Sequence, residues 1–314
     1  MAVCGSAVTL LAVVRGNSPA YPARMPVEDY PSHPIDPAIV DSSLAQIIYR
    51  DAQYTVRIRD VVGPLQNAGF RVYVVGGACR DWLVGARAKD IDLALDRPVE
   101  QAHEILRRTF PQIDPVLRRF ERFGMLRWGD AASGGVDLNI LRSCHDIQND
   151  EMWTTSFVAR QDLHEDALTR DFSINAFYYP CHGHGQLLDP LDLGLADLRH
   201  RILRLVAHQR ILDTSYSTTF RIIQFLCRGY TPAPNVMEHL ERHGDRDIQG
   251  IGPGLLYWIL SHFADVPRAP LEQFKQRLYG CVRQDESREL LDRVFADLEA
   301  RQAAQHQPIQ GSVD

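Results

Sequence analysis

Arg71-Val-Tyr-Val-Val75, then Gly76-Gly77, then Ala78-Cys-Arg-Asp-Trp-Leu-Val84, and shortly afterwards Asp90-Ile-Asp-Leu-Ala-Leu95, decide the fold of this chain. A β-branched and aromatic run ended by two glycines is a buried strand turning into a helix. Gly85 closes that helix. Asp90 to Leu95 alternates polar and apolar, which suits a second strand. Side chains two apart in a strand share a face, roughly 6.5–7 Å apart along the chain. Asp90 and Asp92 placed in this way repel unless a cation lies between them, and hard oxygen ligands favour Mg²⁺ or Mn²⁺. A bare Asp-x-Asp also fits an exposed strand face with two solvated carboxylates. At Gly76-Gly77 the backbone can approach a ligand, and a helix N-terminus attracts phosphate; a tight turn is the plainer reading. The pair is neither a Gly-x-Gly-x-x-Gly fingerprint nor a Walker loop. Asp137 falls on a further strand, within Gly135-Val-Asp-Leu-Asn-Ile-Leu-Arg142. A third carboxylate there can deprotonate or orient an attacking hydroxyl.

Outward from this core, Ile47, Ile48, Val56, Ile58, Val61, Val62 and Leu65 recur at spacings of three and four, which predicts helix from about Asp36 to Ala68. Val99 to Phe110 reads as an amphipathic helix. Gly124 to Trp128 and Gly135 to Leu141 read as strands joined by a turn, and Asp162 to Ala176 begins polar and becomes helical. Leu187 to Pro190 is a strand end and turn. From Asp192 onward the pattern is helical, with breaks at Tyr230–Asn235, Gly250–Gly254 and Pro267–Pro270. The expected division is a flexible leader over 1–36, a mixed α+β block over 37–190, a helical block over 191–303 and a disordered tail over 304–314.

Composition bounds the function less tightly. Hydrophobic residues make up 45% and charged residues 24%, ordinary for a soluble globular protein. A net charge of −6 provides no global basic field for nucleic acid. The six cysteines include no Cys-x-x-Cys pair, so reduced thiols in a cytoplasmic protein are the simplest reading. No apolar run approaches the roughly 18 residues that span a bilayer, so no membrane is expected. Ala7 to Val14 has the core of a signal peptide but no Lys or Arg before it; an alternative places the true start at Met25.

With these elements in place a resemblance becomes specific. Val74-Val-Gly-Gly-Ala-Cys-Arg-Asp-Trp-Leu-Val-Gly85 with Lys89-Asp-Ile-Asp-Leu93 resembles the head signature of class II CCA-adding enzymes and bacterial poly(A) polymerases. Arg122-Phe-Gly-Met125, Val136-Asp-Leu-Asn-Ile-Leu-Arg142, Asp166-Ala-Leu-Thr-Arg-Asp-Phe-Ser-Ile-Asn-Ala176 and Asp189-Pro190 with Ile202-Leu-Arg204 match further family motifs in order. The resemblance implies an α+β nucleotidyltransferase-type head, a mixed sheet with helices, followed by an all-helical neck and body. It implies transfer of NMP from a nucleoside triphosphate to an acceptor hydroxyl, with an RNA 3′ end, tRNA above all, as acceptor. Asp90 and Asp92 would ligate the metal and Asp137 would complete the catalytic set. Gly76, Gly77, Arg80 and Asp81 would form the triphosphate-side loop and its salt bridge, while Arg170, Asp171 and Asn175 would contact ribose and phosphates.

The next family motif, Glu-Asp-x-x-Arg-x-x-Arg, reads the incoming base. Here the chain has Leu212-Asp-Thr-Ser-Tyr-Ser-Thr-Thr-Phe-Arg-Ile-Ile-Gln-Phe225. Anchoring on Arg221 puts Thr214, Ser215 and Thr218 in the Glu, Asp and first Arg positions; an alternative register uses Asp213 as the motif's Asp. Hydroxyls donate and accept alike, so they discriminate bases poorly. The usual glycine pair after Asp-Pro is also missing in Leu191-Asp-Leu-Gly194. Between Arg199 and Tyr230 six arginines face a single acid, Asp213. That suits an RNA backbone, although helix capping would use the same residues. Two further readings stay open: a same-fold enzyme with a small-molecule or protein acceptor, and a non-catalytic RNA-binding relative. The sequence leaves the oligomeric state open.

Overall fold

Four buried residues, Val72–Val75, form the strand on which the molecule is assembled. The computed structural model describes residues 29–113, 118–120, 124–129, 135–143, 162–182, 185–264 and 268–305. In chain order the elements are β1 (Ser32–Pro34), α1 (Pro37–Leu44), β2 (Ile47–Arg50), β3 (Thr55–Arg57), α2 (Ile58–Asn67), β4 (Val72–Val75), α3 (Gly77–Leu83), β5 (Asp92–Leu95) and α4 (Val99–Thr109). Next come β6 (Arg118–Phe120), β7 (Met125–Trp128), β8 (Val136–Ile140), α5 (Leu163–Ala167), β9 (Tyr178–Pro180), β10 (Gln186–Leu188), α6 (Gly194–His200) and β11 (Ile202–Leu203). The chain continues with α7 (Gln209–Thr214), α8 (Thr218–Cys227), β12 (Thr231–Pro232), α9 (Pro234–Ala264), α10 (Arg268–Gly280) and α11 (Asp285–Gln305). The starting region around Met25, the segment Ala7 to Val14, Arg122-Phe123 and the tail beyond 305 lie outside the described residues.

Eight strands make one mixed sheet in the order β1-β10-β9-β4-β5-β8-β7-β6, in which β5 and β8 run parallel and the other pairs antiparallel. The strands at its centre are apolar on both faces because both faces are covered. On one face Val72, Val74, Leu93 and Leu95 pack with Val61 and Leu65 of α2 and Ala102 and Leu106 of α4. On the other, Tyr73, Val75 and Ala94 meet Leu163 and Ala167 of α5 and Tyr178. The first core does not stop with the sheet: it runs on through Leu203, Leu212, Phe225, Val236 and Leu240. A second helical core holds Phe220, Ile223, Ile248, Phe274, Leu291 and Phe295. Helix α8 therefore belongs to both cores through opposite faces.

The α+β head followed by helices is as expected, with five local differences, the first being that the end of the stretch 1–36, expected as a flexible leader, pairs as β1 with β10 and buries Tyr30 in the core. Residues 47–57 form a hairpin, not helix. Ile47-Ile48-Tyr49 is β-branched and aromatic, and Asp51 closes the turn by accepting from the backbone N–H of Gln53 and Tyr54, each at 2.7 Å. The segment Asp162–Ala176 breaks after α5, and only a 3₁₀ turn at Ser173–Asn175 follows. The helical part contains one parallel strand pair, β11 with β12. Asp90 lies ahead of β5 and not within it. Among the described residues no helix is long and apolar enough to cross a membrane.

The Asp-Pro turn shows how the chain manages without the usual glycine pair. Asp192 takes the left-handed conformation, φ 53°, that a glycine would adopt without strain. The glycine is displaced to Gly194, where a Cβ would sit 2.7 Å from the Phe177 ring and from the Ser173 carbonyl oxygen. The side chain of Asp189 then accepts from the N–H of Leu195 at 3.0 Å and starts α6. Replacing exposed Asp192 by glycine relieves the strain at a modest entropic cost, so Asp192→Gly should raise unfolding stability by about 0.5–1 kcal/mol. Urea denaturation checks this; an unchanged or lower midpoint would show that the turn is unstrained.

Candidate active site

Strand register sets the geometry. Val75, the last residue of β4, pairs with Asp92, and Asp92 pairs in turn with Asp137 on parallel β8. The two carboxylates stand side by side on one face, and Gly76 comes directly after Val75. Gly76 has φ 74°, ψ −136°, outside the reach of ordinary side chains, and a Cβ there would lie 3.8 Å from Asp92 Oδ2. The glycine corner and the carboxylate thus bound one space. Burial raises the Asp92 carboxyl to about 6, with Asp137 and then Asp90 adding to the rise and Arg170 and Arg127 opposing it. Arg127 on β7 lies 3.4 Å from Asp137.

Asp166 supports this group from beneath. It is fully buried and accepts from Arg170 Nε at 3.0 Å and Nη2 at 2.7 Å, from the Tyr178 hydroxyl at 2.6 Å and from the Arg142 backbone N–H at 2.7 Å. Burial opposes the charge on Arg170, but Asp166 outweighs it and holds the guanidinium more firmly protonated than usual. Arg142 is pushed down to about 10 by burial and by its neighbour Arg170. Arg170 pairs with Asp166, four residues before it, and not with Asp171.

Asp171 faces the other way. Its Oδ1 accepts from the Phe172 N–H at 2.8 Å and from Asn175 Nδ2 at 3.0 Å, and its Oδ2 receives Arg221 Nε of α8 at 2.5 Å. Asn175 Oδ1 in turn accepts from Arg80 at 2.6 Å, and Arg80 is closed on Asp81 at 2.8 Å. Phe225 has the guanidinium of Arg80 on one contact and that of Arg228 on another, each 5.3 Å from the ring centre. One chain of contacts therefore links Gly77 and Arg80 through Asn175 and Asp171 to Arg221. Asp92 and Asp137 lie beside it, since Arg221 also feels the charge of Asp92.

Of the residues singled out in the sequence, Gly76, Gly77, Arg80, Asp81, Asp92, Asp137, Arg170, Asp171, Asn175 and Arg221 are brought together. Asp90 joins through its charge on Asp92, from the bend before β5. Asp213 is turned elsewhere: it accepts from Gln209 at 2.7 Å and lies 3.8 Å from His243 of α9. Several of the clustered arginines have structural work. Arg201 donates to the Arg228 carbonyl at 2.7 Å, at the C-terminus of α8, and Arg204 pairs with Asp197 at 2.8 Å. For Arg127 the sequence carries no signal of a role and for Asp166 only a spacing, while Arg228, counted among the arginines suited to an RNA backbone, packs on Phe225. The four-residue spacing of Asp166 and Arg170 was a usable signal; Arg127 becomes relevant only through strand pairing.

Residues 72–204 match the family described as the poly A polymerase head domain. Over 174 residues it is 32% identical to poly(A) polymerase I of Haemophilus influenzae, covering 51% of this chain and 36% of that protein. To a CCA-adding enzyme of Lactococcus lactis subsp. lactis it is 30% identical over 169 residues, 54% of this chain and 40% of the relative. The chain spans less than half the length of these relatives. In fold it is similar to the Thermotoga maritima CCA-adding enzyme complexed with tRNA, with TM-score 0.57 and 18% identity over 80% of this chain and 54% of that one. The head domain and the helices behind it share that fold.

A divalent ion fits the donor set. Among the described residues no group of three or more His, Cys, Asp or Glu could hold a metal ion alone; Asp137 is turned toward Arg127. Mg²⁺, however, is commonly held by one or two carboxylates together with substrate phosphates and water, and Asp90 and Asp92 would be the pair to hold it. The raised Asp92 carboxyl is the electrostatic cost a cation would remove.

Two predictions follow from this geometry. Removing Asp166 strands a buried guanidinium, so Asp166→Ala should cost about 3–5 kcal/mol in urea unfolding; a loss below about 1 kcal/mol would mean Arg170 finds water or another partner. Metal binding at Asp92 must displace its proton, so Mn²⁺ affinity should be level above pH 6 and fall roughly tenfold per unit below it. Paramagnetic titration at about pH 5 and about pH 7.5 checks this, and equal affinities at both would place the ion elsewhere.

Proposed function

We propose that this chain is a metal-dependent nucleotidyltransferase that transfers NMP from a nucleoside triphosphate to the 3′ hydroxyl of an RNA, tRNA being the favoured acceptor. The observation that carries the reading is the in-register pair Asp92 and Asp137 beside the positive-φ corner at Gly76. Residues 37–190 act as the nucleotide-handling head and 191–303 as the acceptor-handling helical part. The relatives named poly(A) polymerase and CCA-adding enzyme support the same chemistry, and structures of such enzymes with CTP and with tRNA support both substrates.

In this mechanism Gly76 and Gly77 let backbone N–H groups approach the triphosphate at the start of α3. Arg80, fixed by Asn175 and Asp81, offers its charge to the same phosphates. Asp90 and Asp92 would hold Mg²⁺ or Mn²⁺, which when bound neutralises charge developing on the phosphate oxygens. Asp137 orients the acceptor hydroxyl and receives its proton. A bond forms from the acceptor oxygen to the α-phosphorus, the bond to the bridging oxygen breaks, and pyrophosphate leaves. Arg170, held by Asp166, limits the repulsion among the carboxylates. Asp171, Asn175 and Arg221 form the polar edge available to the sugar and base.

A second reading, an acceptor other than tRNA, is favoured by one observation. Ser215, Ser217 and Thr218 bond to one another at the start of α8, with Thr218 Oγ1 to Ser215 Oγ at 3.0 Å, and provide no charged reader of a base edge.

Incubation with each labelled NTP, Mg²⁺ and total RNA tests both readings. Label should enter RNA, and Asp92→Asn should slow incorporation by about 10³-fold, several kcal/mol of transition-state stabilisation. Equal rates for wild type and Asp92→Asn would overturn the mechanism, and label in protein or a small molecule would support the second reading.

A further inference from the structure

Between the end of α1 and the loop that carries the chain from α3 to β5 lies an open groove of about 530 Å³, lined by Ala45, Gln46, Ile47, Arg87, Ala88 and Lys89. Its walls are held together. Gln46 Nε2 donates to the Ala88 carbonyl oxygen at 2.9 Å, which ties one wall to the other, and Ala88 itself is buried. The same two segments meet again where Trp82 Nε1 of α3 donates to Ser43 Oγ of α1 at 2.9 Å, both residues buried. Gly85, at φ 73°, turns the chain out of α3, and the Ala86 N–H donates back to the Asp81 carbonyl oxygen at 2.8 Å. Arg87 and Lys89 stand exposed on either side of buried Ala88, and both line the groove.

Two features suit this groove to phosphate. No carboxylate lines it, and among the described residues neither the Arg87 nor the Lys89 side chain has an ion pair or a hydrogen bond. The exposed arginines of α4 differ, since Arg107 and Arg108 both close on Glu104. Arg87 and Lys89 thus keep their charge for a ligand. The second feature is position. Lys89 directly precedes Asp90, whose charge is felt at Asp92, so the groove adjoins the carboxylate site through the backbone.

The same geometry selects the kind of anion. Two exposed cations hold a small free anion weakly, because water competes at both. A polyanion binds differently: each neutralised phosphate releases counterions, and a strand already held at its 3′ end meets the groove at high effective concentration. We propose that the groove binds the phosphate backbone of the acceptor RNA upstream of its 3′ end, with Arg87 and Lys89 as the phosphate contacts. The proposal deepens the nucleotidyl-transfer reading, on which its kinetic consequence rests, by giving the head a share of the acceptor.

Fluorescence anisotropy with a short labelled single-stranded RNA, between about 50 and 200 mM KCl, tests it. Arg87→Gln with Lys89→Gln should weaken binding about tenfold at the lower salt. It should also make the slope of log K against log salt shallower by roughly 1.4, the share of two phosphates on a single strand. The KM for RNA should rise by a similar factor, with kcat and the KM for NTP within about twofold. Ala45→Glu, which puts a carboxylate into the facing wall, should weaken binding likewise, and the charge-preserving pair Arg87→Lys with Lys89→Arg should keep it. Arg107→Gln with Arg108→Gln removes the same net charge from α4 and should leave RNA binding unchanged. An equal loss in the α4 pair, an unchanged salt slope in the groove pair, or unaltered RNA binding with weaker inhibition by pyrophosphate would each overturn the proposal; the last would give the groove to the leaving group. If the wild-type protein incorporates no nucleotide while RNA binding responds as stated, the functional reading fails and the groove stands.

Discussion

Carboxylates crowded at one end of a sheet repel, and most of what surrounds them here answers that repulsion. Asp92 and Asp137 are forced together by parallel strand register, and Asp90 adds a third charge from the bend before β5. The burial that sharpens the field at Asp92 also raises the cost of ionising it. The protein responds with guanidinium groups at graded depths. Arg170 is buried and pinned by Asp166, Arg127 lies across the strand pair from Asp137, and Arg221 comes from the helical part. Each arginine has its own carboxylate partner. Compensation therefore stays partial, and the Asp92 carboxyl remains raised.

The helices are more than an appendage to this head. The sheet-face core passes without a break into Leu212, Phe225, Val236 and Leu240, and Phe225 contacts both Phe172 of the head and the guanidinium of Arg80. Ring packing and the Asp171–Arg221 pair carry the connection between them. The second core, built from α8 to α11, supports the far side of the same helix.

Much of this was legible in the sequence, and the parts that were not have identifiable reasons. The run Arg71–Val75 followed by Gly76-Gly77 specified strand, corner and helix because β-branched burial and glycine freedom act locally. Asp92 and Asp137 could be recognised one at a time, but that they are direct register partners is a property of strand pairing. The hairpin at 47–57 was hidden because its apolar residues also fit a helical period, and the turn at Asp51 decides between the two. Asp213 and Arg221 sit eight positions apart in one stretch, yet only Arg221 turns to the site. The break between α7 and α8 separates them, and no local pattern records it.

Helix α8 has a consequence for how this protein can diversify. Seven of its ten residues are buried, five of them in one core or the other, Gln224 and Cys227 are partly covered, and only Arg221 is exposed. Substitutions along the rest of the helix disturb packing before they alter recognition. A lineage carrying this scaffold can change what it selects at one address on α8, or on the serine-rich corner before it, and at few other places without first repacking its interior.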